Sequence, residues 1–290
     1  MAEKHVWLEG ELIPADQARV SVFDHGLLYG DGVFEGIRAY GGRVFKLHSH
    51  LTRLFDGAGR INLKINWTPE QLAEAIRQTL AANDLPSGYV RLCVTRGVGT
   101  LGLNPYLCDR SCTFVIADSI TLYPAEMYEK GMPIITAATI RNHPRALDPA
   151  VKSLNYLNNI RAKMEAIQAD VPEALMLNHE GYVAECTGDN IFLVRDGVLR
   201  TPPLSAGLLP GITRACVIDL ARAEGIDVVE EDLMLQQFLD ADEVLLTGTA
   251  AEIVPVTRID DHVIADGNPG SITTRLTAAF RDLLTHAPED

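Results

Sequence analysis

Lys152, Glu185, Arg91 and the run Gly211-Ile212-Thr213 are the residues of this chain whose types and surroundings suit chemistry. A lysine amine can attack a carbonyl carbon and can carry a proton. A carboxylate set against a basic nitrogen holds that nitrogen protonated. The guanidinium of Arg91, in the strand-like Tyr89-x-Arg91, can grip a carboxylate through two N–H groups. Gly211 opens a helix whose first N–H groups and dipole suit an anion, with the Thr213 hydroxyl close by. Each feature also has an ordinary explanation. Single lysines and glutamates are mostly solvated, Pro-Gly is a common helix boundary, and a Tyr-x-Arg strand can simply have one wet face. His48 and His50 stand two apart on a predicted helix and point to different sides of it. Cys108 and Cys112 have the spacing of a ligand pair, but neither a second pair nor a histidine follows them, so no metal is expected.

The composition narrows the setting. The chain has 290 residues, 47% hydrophobic and 22% charged, which is ordinary for a folded globular protein and excludes disorder, collagen and coiled coil. Twenty-five Lys and Arg against 39 Asp and Glu give a net charge of −14. A field of that sign repels nucleic acid and anionic lipid, so a phosphate group must be held by a local site. No run approaches the ~18 apolar residues of a membrane helix and the first residues lack a signal-peptide core, so a cytoplasmic protein is expected. Five scattered cysteines, Cys93, Cys108, Cys112, Cys186 and Cys216, fit reduced thiols rather than a disulfide framework.

The elements that must position these residues follow from pattern. Hairpin-like segments flank Glu9-Gly10-Glu11 and Gly41-Gly42. Helices are predicted over 49–60 and 69–83, the second with Pro69 after Thr68 and with Leu72, Ile76, Thr79 and Leu80 on one face. Strands follow at 89–95 and 113–117. The aperiodic stretch near Pro124 reads as a linker, giving a smaller N-terminal domain over 1–118, a linker over 119–131 and a larger C-terminal domain over 132–290. In the second half a strand at 133–140 leads to a helix from about 154 to 168. Hairpins turn at 179–181 and 196–197, a helix follows Gly211, strands lie at 227–230, 243–247 and 253–263, and a last helix spans 271–284. Grouped strands with interspersed helices predict an α+β fold.

Taken in chain order, four clusters resemble one family. They are His25-x-Leu27-x-Tyr29-Gly30-x-x-Val33-Phe34-Glu35-Gly36-Ile37-Arg38, then Tyr89-x-Arg91, then Lys152-Ser153-Leu154-Asn155-Tyr156-Leu157-Asn158-Asn159, then Glu185-x-x-Gly188-x-Asn190-x-Phe192. Together with Leu209-Pro210-Gly211-Ile212-Thr213-Arg214 and Thr247-Gly248-Thr249-Ala250-Ala251-Glu252, they look like class IV aminotransferases, and most like the branched-chain amino acid members. The resemblance implies a two-domain scaffold of fold type IV, pyridoxal 5′-phosphate as cofactor, and a homodimer or higher homo-oligomer.

The resemblance also implies roles. Lys152 would be the catalytic amine that links to the cofactor, and Glu185 the carboxylate on its pyridine nitrogen. Arg53, Ile212, Thr213 and Thr249 would hold the phosphate, with Tyr156 as a further cofactor neighbour. Tyr29, Phe34, Gly36, Arg38, Tyr89 and Arg91 would form the substrate pocket, Phe34 lining its apolar part. The family assigns Tyr89 to the α-carboxylate, with N–H groups at Thr249 and Ala250 assisting, and Arg91 with Tyr29 to the distal carboxylate of glutamate. Leu101 and Leu103 match a loop that reaches into a neighbouring subunit's pocket. Cys186 departs from the family, which commonly has glycine there. The implied reaction is ping-pong transamination of Leu, Ile and Val with 2-oxoglutarate as acceptor. D-amino acid transaminases, (R)-amine transaminases and aminodeoxychorismate lyase share the scaffold and stand as alternatives.

Overall fold

The computed structural model describes residues 4–286. The chain forms two units. The first runs to Ile120 and takes in Val151–Tyr156, and the second comprises Thr121–Ala150 with Leu157–His286. The mixture of sheets and helices is the α+β class expected.

The first unit holds β1 (His5–Leu8), β2 (Glu11–Pro14), α1 (His25–Tyr29), β3 (Gly32–Tyr40), β4 (Arg43–Val44), α2 (Leu47–Arg60), α3 (Pro69–Ala82), β5 (Gly88–Thr95) and β6 (Cys112–Asp118). Its six strands form one sheet in the order β2-β1-β6-β5-β3-β4, every neighbouring pair antiparallel. Register sorts the side chains onto two faces. Phe34 lies opposite Cys93, Gly36 opposite Arg91 and Arg38 opposite Tyr89, so these six share one face. Val33, Glu35 and Ile37, opposite Val94, Leu92 and Val90, share the other. That second face is covered by α2 and α3, whose Leu51, Leu54, Leu72 and Ile76 complete the core with Val33, Ile37, Val90 and Leu92. Each fully buried aliphatic side chain there is worth roughly 1.5–3 kcal/mol. The start of α3 is fixed by a capping box. Thr68 Oγ1 accepts from the Gln71 N–H, Gln71 Oε1 accepts from the Thr68 N–H, and Pro69 fills a position that needs no donor.

Residues 152–154 extend this sheet rather than opening a helix. The Phe34 N–H donates to the Lys152 carbonyl at 3.0 Å, the Leu154 N–H donates to the Gly32 carbonyl at 2.9 Å, and Val33 faces Ser153 across an antiparallel bridge. The helix expected from about 154 therefore begins only at Leu157.

The second unit holds α4 (Ala125–Lys130), β7 (Met132–Thr136), α5 (Leu157–Gln168), β8 (Glu173–Leu177), β9 (Val183–Cys186), β10 (Asn190–Arg195), β11 (Val198–Thr201), α6 (Ile212–Ala223), β12 (Val228–Glu230), α7 (Leu235–Leu239), β13 (Glu243–Gly248), β14 (Glu252–Ile259), β15 (His262–Val263) and α8 (Ser271–His286). The strands form a mixed sheet in the order β12-β11-β10-β13-β14-β7-β8-β9, with β15 added beside β14. The hairpins expected at 179–181 and 196–197 join β8 to β9 and β10 to β11. At the second, Asp196 and Gly197 both take positive φ, 53° and 77°, as a tight turn between twisted strands requires. The stretch 119–131 is not an open linker, since α4 occupies most of its second half. Among the described residues, no helix is long and apolar enough to cross a membrane.

Candidate active site

In the first unit, the sheet face opposite α2 and α3 gathers five of the residues picked from sequence. Lys152 Nζ donates to the Tyr156 hydroxyl at 3.2 Å and lies 4.7 Å from the Phe34 ring centre and 5.5 Å from that of Tyr156. Phe34 meets Tyr156 edge to face at 5.0 Å. The Arg91 guanidinium lies over the Phe34 ring at 4.4 Å and 5.9 Å from that of Tyr89. Phe34 thus stands within reach of two cations. A cation near an aromatic face gains roughly 0.5–1 kcal/mol where exposed and more where water is excluded. Among the described residues neither Lys152 nor Arg91 is held by a carboxylate in the way Arg96 and Arg141 are, and both cations rest on rings.

Gly36 matters because of what lies over it. A Cβ there would overlap the Tyr89 hydroxyl, so glycine is what lets the Tyr89 ring lie across the sheet. Cys93, on the same face, is buried, and burial pushes its thiol up to about 11. Arg38 stacks on Tyr40 at 4.9 Å. Tyr29, at the end of α1, accepts from the Gly102 N–H at 3.0 Å and meets His25 edge to face. It is thereby joined to the loop that carries Leu101 and Leu103, which are 74% and 82% exposed.

The covered face carries the residue the sequence left without a role. Glu35 is completely buried and accepts from Arg53 through two nitrogens, Nε to Oε1 and Nη2 to Oε2, each at 2.8 Å. His50 Nδ1 also reaches Glu35 Oε2 at 2.8 Å. Burial alone would raise the Glu35 carboxyl, but the charges and hydrogen bonds of Arg53 and His50 prevail and hold it at about 2. His48 is exposed and His50 buried, on different sides of α2 as their spacing requires.

In the second unit, Glu185 is the centre. It is buried on β9; Oε1 accepts from Arg141 Nε at 2.7 Å, and Oε2 accepts from the Leu209 N–H at 3.1 Å and from Asn190 Nδ2 at 3.3 Å. Asn190 Nδ2 also donates to the Leu209 carbonyl at 3.0 Å. Glu185 and Asn190 thus pin Leu209 from both sides, just before the Gly211 turn into α6. A Cβ on Gly211 would overlap Asn190 Oδ1, so glycine is required where this loop crosses. Gly211 caps α6 without a side-chain bond, leaving the first-turn N–H groups of Ile212 and the buried Thr213 for another acceptor. Thr249 and Ala250 form the half-buried turn between β13 and β14.

Arg141 went unnoticed in the sequence. It is buried, and its Nη1 also donates to Asn158 and Asn159 at 3.0 and 3.3 Å. Its signal is indirect, since a carboxylate buried like Glu185 needs a cation. Cys186 sits in the core, its thiol raised well above its ordinary range by burial and by the carboxylates of Glu173, Asp189 and Glu185, so it is a packing residue held neutral.

The Amino-transferase class IV family profile matches residues 32–259, and the chain belongs to that family. A Methanocaldococcus jannaschii protein is 50% identical over 280 residues, covering 97% of this chain and 96% of its own length. Among solved structures, the branched-chain amino acid aminotransferase of Escherichia coli superposes with a TM-score of 0.95 at 35% identity, covering 97% of this chain and 95% of that one. The branched-chain amino acid aminotransferase of Thermobaculum terrenum in its PLP form superposes with a TM-score of 0.88 at 32% identity, covering 97% and 94%.

Proposed function

We propose that this enzyme uses pyridoxal 5′-phosphate to interconvert branched-chain L-amino acids and their 2-oxo acids, with glutamate and 2-oxoglutarate as the partner pair. The observation that carries the reading is Phe34 within reach of both Lys152 and an Arg91 that no carboxylate among the described residues holds. One sheet face then offers an apolar ring to an aliphatic side chain and a guanidinium to an anionic one. The names of the E. coli and Thermobaculum terrenum relatives support the branched-chain amino acids as substrates.

The residues present fit the cofactor. Lys152 has a hydroxyl rather than a carboxylate as its partner, so its amine is not locked in an ion pair. The Leu209–Gly211 loop is a cradle that tolerates no Cβ at Gly211 and ends on the N–H donors that open α6. When bound, pyridoxal 5′-phosphate supplies the electron sink that makes the substrate's Cα proton removable and carries the amino group between the two substrates. Lys152 Nζ holds the cofactor and moves the Cα proton, while the Tyr156 hydroxyl orients that amine. Glu185, paired with Arg141, holds the proton on the pyridine nitrogen. Ile212, Thr213, Thr249 and Arg53 bind the phosphate. Tyr89, lying over Gly36, and the N–H groups at Thr249 and Ala250 take the α-carboxylate, and Arg91 with Tyr29 takes the distal carboxylate of glutamate. Arg38 flanks Tyr89 on the same face. The exposed Leu101 and Leu103 enter a neighbouring copy's pocket, making the working unit at least a dimer, and we assign it to the cytoplasm.

Half-reaction absorbance spectra of the holoenzyme with single substrates test this. L-Leu, L-Ile, L-Val and L-Glu should each convert the cofactor band, and D-amino acids and (R)-amines should not. Preferential conversion by the latter would assign one of the sibling activities, and no conversion by any amino donor would overturn the reading in favour of a lyase.

A further inference from the structure

His25 opens the first of the chemistry-bearing motifs, and the reaction as proposed gives it no task. It is buried at the start of α1. The chain beyond β5 runs through a loop, residues 96–104, with glycine at 97, 99 and 102. Glycine gives the backbone its widest freedom, so such a loop loses much entropy when it is held. Leu101 and Leu103 stand out from it, exposed, and do little to hold it themselves.

The bonds that hold the loop come from the segment leading into α1. The His25 N–H donates to the Gly97 carbonyl at 2.9 Å, the Gly99 N–H donates to the Phe23 carbonyl at 3.3 Å, and Asp24 faces Val98 across an antiparallel bridge. His25 Nε2 lies 2.9 Å from the Thr100 carbonyl oxygen. A carbonyl only accepts, so Nε2 carries the ring hydrogen and donates it. The same ring meets Tyr29 edge to face at 4.9 Å, and the Tyr29 hydroxyl takes the Gly102 N–H. A Cβ on Gly99 would overlap His25 Nε2, so glycine is what admits the ring there. One side chain thus meets the loop at 99 and 100 and, through Tyr29, at 102. The start of α1 is itself tied to the sheet. Asp24 is buried; its Oδ1 accepts from the Gly26 N–H and its Oδ2 from Thr95 Oγ1, each at 2.7 Å, and Thr95 ends β5. The His25 ring is therefore placed by the sheet that carries Phe34 and Arg91 rather than by the loop.

We infer that His25 is a positioning residue for residues 99–103, aiming Leu101 and Leu103 at the branched-chain substrate of a neighbouring copy. This rests on the reading of that loop proposed above. An aliphatic contact forfeits a quarter to a half of its attraction when a gap of about 0.5–1 Å opens, so a loop that supplies such contacts has to be aimed.

The test follows hydrogen exchange of the holoenzyme by peptide mass spectrometry beside steady-state kinetics with leucine and isoleucine. His25→Phe keeps a ring against Tyr29 and removes the donor to Thr100. It should quicken exchange in the peptide spanning 97–103 by about two- to tenfold, raise KM for both substrates by a similar factor with a smaller change in kcat, and leave the affinity for pyridoxal 5′-phosphate unchanged. His25→Gln, whose amide nitrogen stands near the Nε2 position, should restore loop and KM together. Exchange that quickens equally throughout the first unit, exchange that does not change, or a loss that His25→Gln fails to restore would show a merely structural histidine and overturn the inference. If His25→Phe does not fold, His25→Asn, whose amide stops short of Thr100, carries the same test. Asp at both Leu101 and Leu103 separates the two layers. If that variant raises KM while His25→Phe frees the loop without raising it, the loop reading stands and the positioning role fails. If neither raises KM, the loop reading itself fails.

Discussion

Arg53 and Arg91 serve the same six-stranded sheet from opposite faces, and they are held in opposite ways. Arg53 is gripped by two oxygens of a buried carboxylate, whereas Arg91 lies on the ring of Phe34. With Arg53 proposed as a phosphate ligand, being fixed means that its ordering cost is met on folding rather than at each binding event. With Arg91 proposed to meet an anionic side chain in one half-reaction and an aliphatic one in the other, a weak resting place suits it. A carboxylate partner at Arg91 would compete with the distal carboxylate of glutamate, while an aromatic ring competes little and is itself a surface for leucine.

Removing the resting arginine gives the largest expected effect. Arg91→Ala should slow the half-reaction with glutamate or 2-oxoglutarate by on the order of ten- to a hundredfold relative to that with leucine, since a hydrogen bond to a charged group is worth roughly 1.5–3 kcal/mol. Single-turnover rates with each substrate decide it, and parallel losses would make Arg91 structural. Gly36→Ala displaces the Tyr89 hydroxyl, and with Tyr89 taking the α-carboxylate as proposed it should act on both substrates alike. Overpacking of this sort costs about 1–3 kcal/mol, so KM should rise up to about a hundredfold for leucine and glutamate together. A change confined to one substrate would separate Tyr89 from the α-carboxylate.

The fixed side of the comparison should show in acid. Burial lowers His50 below its ordinary 6.5, over the opposing pull of Glu35, and Arg53 and His50 hold Glu35 at about 2 instead of 4.5. In both cases the unfolded chain binds more protons, so stability rises with pH. It should be complete above about pH 6.5 and fall as pH drops, first through His50 and then through Glu35 between 4.5 and 2. Urea midpoints against pH should show this slope, and Glu35→Gln should flatten its lower part; stability that rose on acidification would refute the assignment. The smallest effect expected is at the loop. Asp at both Leu101 and Leu103 should weaken use of branched-chain substrates severalfold, and a fully active monomer in light scattering would remove the dimer reading.

The two arginines also show how far sequence carries. Alternation along β3 already separates Phe34 from Glu35, and a charged residue in a row of Val and Ile was a visible sign of a partner, yet nothing local says that the partner is Arg53, 18 residues away on a helix. Helices with caps and periodicity, such as α3 and α6, were legible because their signals are local. Short ones were not. α1 has five residues and α4 six, too few to show a period. The segment at Lys152 read as a helix start because its own residues permit one; its strand-like pairing depends on Gly32 and Phe34, over a hundred residues earlier. Arg141, in a proline-containing loop, became meaningful only once Glu185 was seen to be buried.

The central claim is that Lys152 is the amine that carries the cofactor. Borohydride reduction of the holoenzyme fixes the cofactor to whatever amine binds it, and peptide mass mapping then locates the attachment. The account predicts the added mass on the peptide containing Lys152 and its disappearance in Lys152→Ala together with transamination. Attachment to another lysine, or ordinary turnover by Lys152→Ala, would contradict it.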